Sequence, residues 1–95
     1  MGDDDFEWDD VKAASNVQKH GVSFEMARGA FKDAFSVDWI DDRQDTNEER
    51  LVILGMVENR LIHVAYTMRG ERVRVISARK AEPQEQRKYH DDNQT

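Results

Sequence analysis

One histidine, two arginines and a tyrosine are the side chains of this sequence best suited to chemistry on a phosphodiester: His20, Arg69, Arg79 and Tyr89. The imidazole titrates near neutrality and can exchange protons. The guanidinium groups offer planar forks of donors that match a phosphate, and the phenol offers a proton or a ring that stacks on a base. RNA brings its own nucleophile, the 2′-hydroxyl, so these groups meet the needs of RNA cleavage without a metal ion.

Each of these residues also has a structural interpretation. His20 can end a helix, Arg69 can belong to a turn, Arg79 can pair with an acidic side chain, and Tyr89 can dock a terminal helix. Four further cations are candidates for contacts with the RNA backbone. They are Lys19, Arg50, Arg74 and Lys80.

Other chemistries have little support. The chain has no cysteine, which removes zinc ribbons, disulfides and thiol nucleophiles. Its three histidines lie in different predicted elements, and none has the spacing of a metal-binding pair. A glycine-rich phosphate loop and a Gly-x-Ser-x-Gly elbow are both missing. We therefore predict no metal site and no cofactor.

Charge is divided unevenly along the chain. The net charge is -6, but residues 1–50 carry -8 and residues 51–95 carry +2. Residues 60–80 hold six basic side chains against one acidic side chain. A local positive patch on an acidic protein predicts weak, salt-sensitive binding of free RNA. The alternative is a non-catalytic module whose arginines bind an acidic partner and help to regulate transcription.

The elements that must position these residues are those of an α+β fold. Asp9 or Asp10 can cap a helix over residues 10–20 that ends at Gly21, and its apolar residues repeat at helical spacing. Ser23 can cap a second helix that places Phe24, Phe31 and Phe35 against a sheet. Glu82 and Pro83 can start a short last helix that reaches about Tyr89.

Between the second and last helices, the period of the pattern becomes that of strands. A short strand near Val37 and Trp39, a polar loop over 41–47, and strands over 51–57, 61–68 and 73–78 predict an antiparallel sheet of four to five strands. Arg69 and Arg79 can converge at one edge if the register pairs them. Arg74 projects away from Arg79 unless a bulge intervenes.

At 95 residues the chain is long enough for one domain, and we predict a single domain over 1–95 with disordered tails over 1–5 and 91–95. No apolar run is long enough to cross a membrane, and the acidic start is unlike a signal peptide. We therefore expect a cytoplasmic protein.

Several motifs resemble those of the BrnT family of type II toxins over residues 6–89. In chain order they are Phe6-Glu7-Trp8-Asp9, Asn16, Lys19-His20-Gly21-Val22, Phe24-Glu25, Glu48 or Glu49 with Arg50, Gly55, Tyr66-Thr67-Met68-Arg69-Gly70 and Val75-Ile76-Ser77-Ala78-Arg79-Lys80-Ala81.

The resemblance implies a RelE-like fold and a ribonuclease toxin that arrests growth by cleaving RNA. Because RelE-like enzymes usually have a more basic surface, the net charge of -6 implies either that the RNA is presented on the ribosome or that this member cleaves weakly. It also implies neutralisation by a BrnA-like antitoxin in a heterotetramer, with operator DNA contacted only through the antitoxin. Matched to the family's motifs, Lys19, His20, Arg50, Arg69 and Arg79 fall in or near its active region.

Overall fold

A five-stranded sheet with helices on both faces organises residues 5–41 and 49–93, the part of the chain that this computed structural model describes. The predicted α+β class, with its N-terminal helical hairpin and C-terminal helix, is confirmed. The elements in chain order are β1 (Phe6–Glu7), α1 (Asp10–His20), α2 (Phe24–Ala30), β2 (Val37–Ile40), β3 (Leu51–Val57), β4 (Arg60–Arg69), β5 (Arg72–Lys80) and α3 (Pro83–Asp92).

The predicted caps begin and end the helices. The Asp9 side chain accepts hydrogen bonds from the backbone of Val11 and Lys12, and Gly21 ends α1 with a left-handed φ of 69°. Ser23 accepts from the Met26 backbone at the start of α2. Glu82 and Glu85 form a capping box at the start of α3.

The strands lie in the order β1-β5-β4-β3-β2. Neighbours from β2 to β5 are antiparallel as predicted, whereas β1 runs parallel to β5, so the sheet is mixed. Glu58 and Asn59, with φ of 50° and 68°, form the two-residue turn between β3 and β4. The predicted loop over 41–47 lies outside the described residues except for Asp41.

Two predicted element ends are wrong. The second helix ends at Ala30, and the chain turns so that the Phe35 side chain is 63% exposed and does not pack on the sheet. The Asp33 carboxylate stabilises this turn by accepting a hydrogen bond from the Phe35 backbone at 2.9 Å. The last helix continues to Asp92, beyond Tyr89, so residues 91 and 92 are helical instead of part of a disordered tail.

The core lies on both faces of the sheet. On one face, Val64 and Tyr66 of β4 lie in one core cluster with Phe24 and Ala27 of α2. The other face packs against α3, where Leu54 contacts Tyr89. We call these the inner and outer faces.

The apolar stripe that predicts α1 from the sequence does not face this core. Val11 is 79% exposed, Val17 is 46% exposed, and Ala14 is also exposed. The residue that α1 buries is the polar Asn16.

Gly55 sets how closely α2 approaches the sheet. A Cβ atom at this position would lie 2.3 Å from the carbonyl oxygen of Ala30 and 2.7 Å from its Cα. Both atoms are backbone atoms, so a side chain at residue 55 would push α2 away from β3.

We expect Gly55→Ala to lower the free energy of unfolding by about 3 kcal/mol, because overpacking against backbone cannot be relieved by a rotamer change. Urea unfolding followed by tryptophan fluorescence measures this change. Gly29→Ala is the matched control. Its Cβ would lie 3.1 Å from the Val57 side chain, which can shift, and alanine favours a helix. Equal losses for the two variants would contradict this account of the packing.

Candidate active-site cleft

The Asn16 side chain joins α1 to the edge of β5. Its Nδ2 atom donates to the carbonyl oxygens of Val22 and Ala78, at 2.8 Å each, and its Oδ1 accepts from the Ala78 backbone at 3.2 Å. Within the described residues β1 pairs with β5 only at Val73 and Arg74, so the amide of Asn16 takes the place of a neighbouring strand beyond that point. This clamp fixes the distance between the last turns of α1 and the middle of β5.

A β-bulge at Ile76 changes which side chains share the outer face. Ala65 pairs with Ser77 and Tyr66 pairs with Val75, so Ile76 is the extra residue on β5. The bulge reverses the alternation, and Arg74, Ser77 and Arg79 therefore lie on the same face as His63. The sequence predicts that Arg74 and Arg79 diverge unless a bulge intervenes. The bulge is present, so the two side chains share a face.

A cleft of about 280 Å³ opens between α1 and β5 at this bulge, and we call it the α1–β5 cleft. Two predicted residues, Lys19 and His20, line it together. The complete lining comprises Lys12, Ser15, Asn16, Lys19, His20, Ile76 and Ser77. Among these residues two are lysines, one is a histidine and none is a carboxylate, so the cleft is positively charged and rich in hydrogen-bond donors. Such a site suits a phosphate ligand.

Arg74 and Arg79 lie on either side of Ser77 along β5, each about 7 Å away by strand rise. Backbone hydrogen bonds from Lys12 and Val11 lower the pKa of the Asp9 carboxylate at the start of α1, and the positive charges of Lys12 and Arg74 lower it further. However, Arg74 donates to Glu7 at 2.9 Å and Arg72 lies 3.3 Å from the same carboxylate.

Arg79 forms a bidentate ion pair with Glu85 of α3, with both N–O distances at 2.9 Å. The Nε2 atom of buried His63 lies 3.6 Å from the same carboxylate. Burial raises the pKa of Glu85, but hydrogen bonds from Arg79 and the Glu82 backbone and the neighbouring charges outweigh it, so the pKa is below its usual value. The structural interpretation of Arg79, a pair with an acidic side chain, is therefore confirmed.

The structure does not bring the other predicted residues into the α1–β5 cleft. Arg69 pairs with Arg72, whereas Arg79 pairs with His63, so the two predicted phosphate ligands lie about 20 Å apart along β4. The expectation that they converge is wrong, because the register places them at opposite ends of the hairpin. Arg50 precedes β3, two strands from β5, and Lys80 lines a separate cleft of about 300 Å³.

Tyr89 is buried on the outer face, and its hydroxyl donates to Asp33 at 2.6 Å. Burial and the Asp33 carboxylate raise the pKa of Tyr89 to about 12. Asp33 also accepts from the Met56 backbone at 2.8 Å, which ties α3 to β3 through one carboxylate. This geometry favours the docking interpretation of Tyr89 over proton exchange or base stacking.

Sequence reasoning missed Lys12, Ser15 and Ser77 in the cleft, and Glu85 and His63 beside Arg79. A signal for Lys12 and Ser15 was present, because residues 12, 15, 16, 19 and 20 share one flank of a helix. A signal for His63 was also present, because it interrupts an apolar strand. Neither signal shows which element packs against the flank of α1 or against His63.

Within residues 5–41 and 49–93, no group of three or more His, Asp or Glu side chains is placed to hold a metal ion. None of the helices in these ranges is long and apolar enough to cross a membrane.

A mixed sheet covered by helices on both faces, with a cationic cleft at one edge, defines a small α+β protein suited to an anionic ligand. Residues 8–85 match the family model described as the ribonuclease toxin, BrnT, of type II toxin-antitoxin systems. The chain belongs to this BrnT family of ribonuclease toxins, which confirms the resemblance seen in its motifs. A comparison with curated proteins gives no match.

Replacing Asn16 tests the clamp that holds the cleft together. We expect Asn16→Leu to lower the free energy of unfolding by about 3 kcal/mol, because buried backbone groups of Val22 and Ala78 lose their partners. Chemical denaturation measures the loss. Gln18→Leu, on the exposed side of the same helix, should change stability by less than about 0.5 kcal/mol. A small effect at Asn16 would show that the clamp contributes little.

Replacing Tyr89 tests its hydrogen bond through pH. The folded-state pKa of about 12 lies above the ordinary value of 10.0, so the bond stabilises the fold fully below pH 10 and less as the pH rises towards 12. Tyr89→Phe should therefore cost about 2 kcal/mol at neutral pH. The difference from the wild type should narrow above pH 10 in denaturant titrations. A difference that stays constant with pH would contradict the assignment.

Proposed function

We propose that this BrnT-family protein is a metal-independent endoribonuclease whose catalytic site is the α1–β5 cleft. The observation that supports this most is the meeting of Lys12, Lys19 and His20 with Ser77 in one open cationic cleft. The lysines bind the scissile phosphate, and Ser77 donates a hydrogen bond to it. His20 is exposed in the last turn of α1, where an incoming ribose can reach it.

In the proposed reaction, His20 takes the proton of the 2′-hydroxyl, and the 2′-oxygen forms a bond with phosphorus. The bond from phosphorus to the 5′-oxygen breaks, and that oxygen receives a proton from the imidazolium or from water. The products are a 2′,3′-cyclic phosphate and a 5′-hydroxyl. The developing charge on the phosphate is stabilised by the two lysines.

Two predicted catalytic residues, Arg79 and Tyr89, and the predicted RNA-binding residue Arg74 receive different roles in this proposal. Arg79 holds the end of β5 to α3 through Glu85, and it positions Ser77 without contacting the phosphate. Arg74 lies on the other side of Ser77 and extends the cationic surface along β5, with Glu7 as its competing partner. Tyr89 anchors α3 and takes no part in the chemistry.

The acidic total charge limits affinity for free RNA. With a net charge of -6, long-range attraction for a polyanion is weak, and the cleft supplies a short positive segment only. We therefore propose that RNA presented on the ribosome is the main substrate, and that its cleavage inhibits translation and growth.

A type II toxin implies an antitoxin partner, and we propose a BrnA-like protein in this role. In the proposed assembly, toxin and antitoxin form a heterotetramer, and operator DNA is bound through the antitoxin. The cationic cleft of the toxin is too small and the protein too acidic to account for DNA binding alone.

Purified protein should cleave RNA, free or on ribosomes, in excess EDTA and leave a cyclic phosphate end. His20→Ala should slow cleavage at least about 100-fold, because it removes general base catalysis. His90→Ala, which removes an exposed histidine from α3, is the matched control and should cleave at the wild-type rate. Gel analysis of an end-labelled RNA measures all three rates.

Two results would overturn this mechanism. One is loss of cleavage in EDTA, and the other is equal cleavage by the His20 and His90 variants. A 2′-deoxy nucleotide at the cleaved position should block the reaction, since it removes the nucleophile. Cleavage of that RNA would exclude attack by the 2′-oxygen.

A further inference from the structure

A second groove, of about 350 Å³, lies on the other flank of α1, and we call it the α1–α2 groove. Its apolar surface comes from Trp8, Ala13, Ala14, Val17 and Phe24. Trp8 and Phe24 pack edge to face with their ring centroids 5.9 Å apart. Val17 remains 46% exposed at the wall, and Val11, six residues earlier in α1, is 79% exposed.

The two flanks of α1 carry different sets of residues. Residues 12, 15, 16, 19 and 20 line the α1–β5 cleft, while residues 10, 13, 14 and 17 line the α1–α2 groove. At 100° per residue these sets are centred roughly 150° apart around the helix. A helix bound in the groove therefore does not itself occupy the cationic cleft.

The charge of the groove is opposite to that of the cleft. Its two charged lining residues, Asp10 and Glu25, are both acidic. Glu25 has Arg28 as a neighbour at 3.0 Å, yet its side chain is 66% exposed.

We infer that the α1–α2 groove binds a helical segment of the antitoxin that has an apolar stripe flanked by lysine or arginine. This inference rests on the antitoxin partner of the proposed function. Exposed apolar residues at helical spacing fit the apolar stripe of an incoming helix, and the acidic rim selects basic flanks. An acidic segment is repelled from the same surface.

A fluorescent helical peptide of leucine and lysine tests the groove, with a leucine and glutamate peptide as its counterpart. In polarisation titrations, the lysine peptide should bind the wild type and the glutamate peptide should not. Val17→Asp should weaken binding at least tenfold. Gln18→Asp adds the same charge to an exposed site outside the groove and should bind as the wild type does.

The two variants with the same added charge, Val17→Asp and Gln18→Asp, separate docking in the groove from simple electrostatic attraction. Non-specific attraction of a cationic peptide predicts tighter binding by Val17→Asp, because the protein becomes more acidic, and this result would overturn the inference. Equal binding of the two peptides would also overturn it. A sedimentation experiment could overturn the inference as well. If the wild type is a dimer and Val17→Asp dissociates it, a second copy of the chain fills the groove.

Two controls keep the outcomes distinct. Ala14→Asp repeats the test at a second exposed groove position if Val17→Asp does not fold. RNA cleavage by Val17→Asp should equal that of the wild type. If the wild type does not cleave RNA at all, the proposed function fails, while the peptide titrations still decide whether the groove binds a basic helix.

Discussion

The hydrogen bonds of one buried carboxamide hold the cleft of this protein together. Asn16 is 7% exposed and pairs with both backbone groups of Ala78, so a helix side chain completes the edge of the sheet where no strand does so in the described part of the chain. The same amide reaches Val22 in the joint between α1 and α2. Because α1 carries the cationic cleft on one flank and the apolar groove on the other, the positions of both depend on this contact.

Features encoded within a few neighbouring residues were predictable from the sequence. The caps at Asp9, Gly21 and Ser23, and the turn at Glu58 and Asn59, depend on side-chain hydrogen bonds and on backbone angles that only some residues adopt readily. Features that depend on register were not predictable. A single extra residue, Ile76, decides which arginines of β5 share a face, and alternation alone cannot reveal an insertion of one residue.

The arginines also show why composition was a poor guide to the site. Residues 60–80 are strongly basic, but Arg72 and Arg74 share Glu7, and Arg79 is bound at both terminal nitrogens to Glu85. These carboxylates are distant in sequence or lie in another element, so the ion pairs become visible only once the chain is folded. Lys12 was not among the predicted site residues, and Lys19 was predicted only to contact the RNA backbone. Both nevertheless line a cleft that has no carboxylate among the described residues that line it.

The Asn16 contact with Ala78 spans 62 residues, so its two halves leave the ribosome at different times. During synthesis α1 emerges from the ribosome well before β5. Until β5 has also emerged, the lysines and the histidine of α1 have no strand opposite them. If the α1–β5 cleft is the catalytic site, as proposed, a newly made chain gains activity only once most of the domain is complete. A chain truncated before β5 would lack both Ser77 and the Ala78 partner of Asn16, so the order of synthesis decides when the cleft can form.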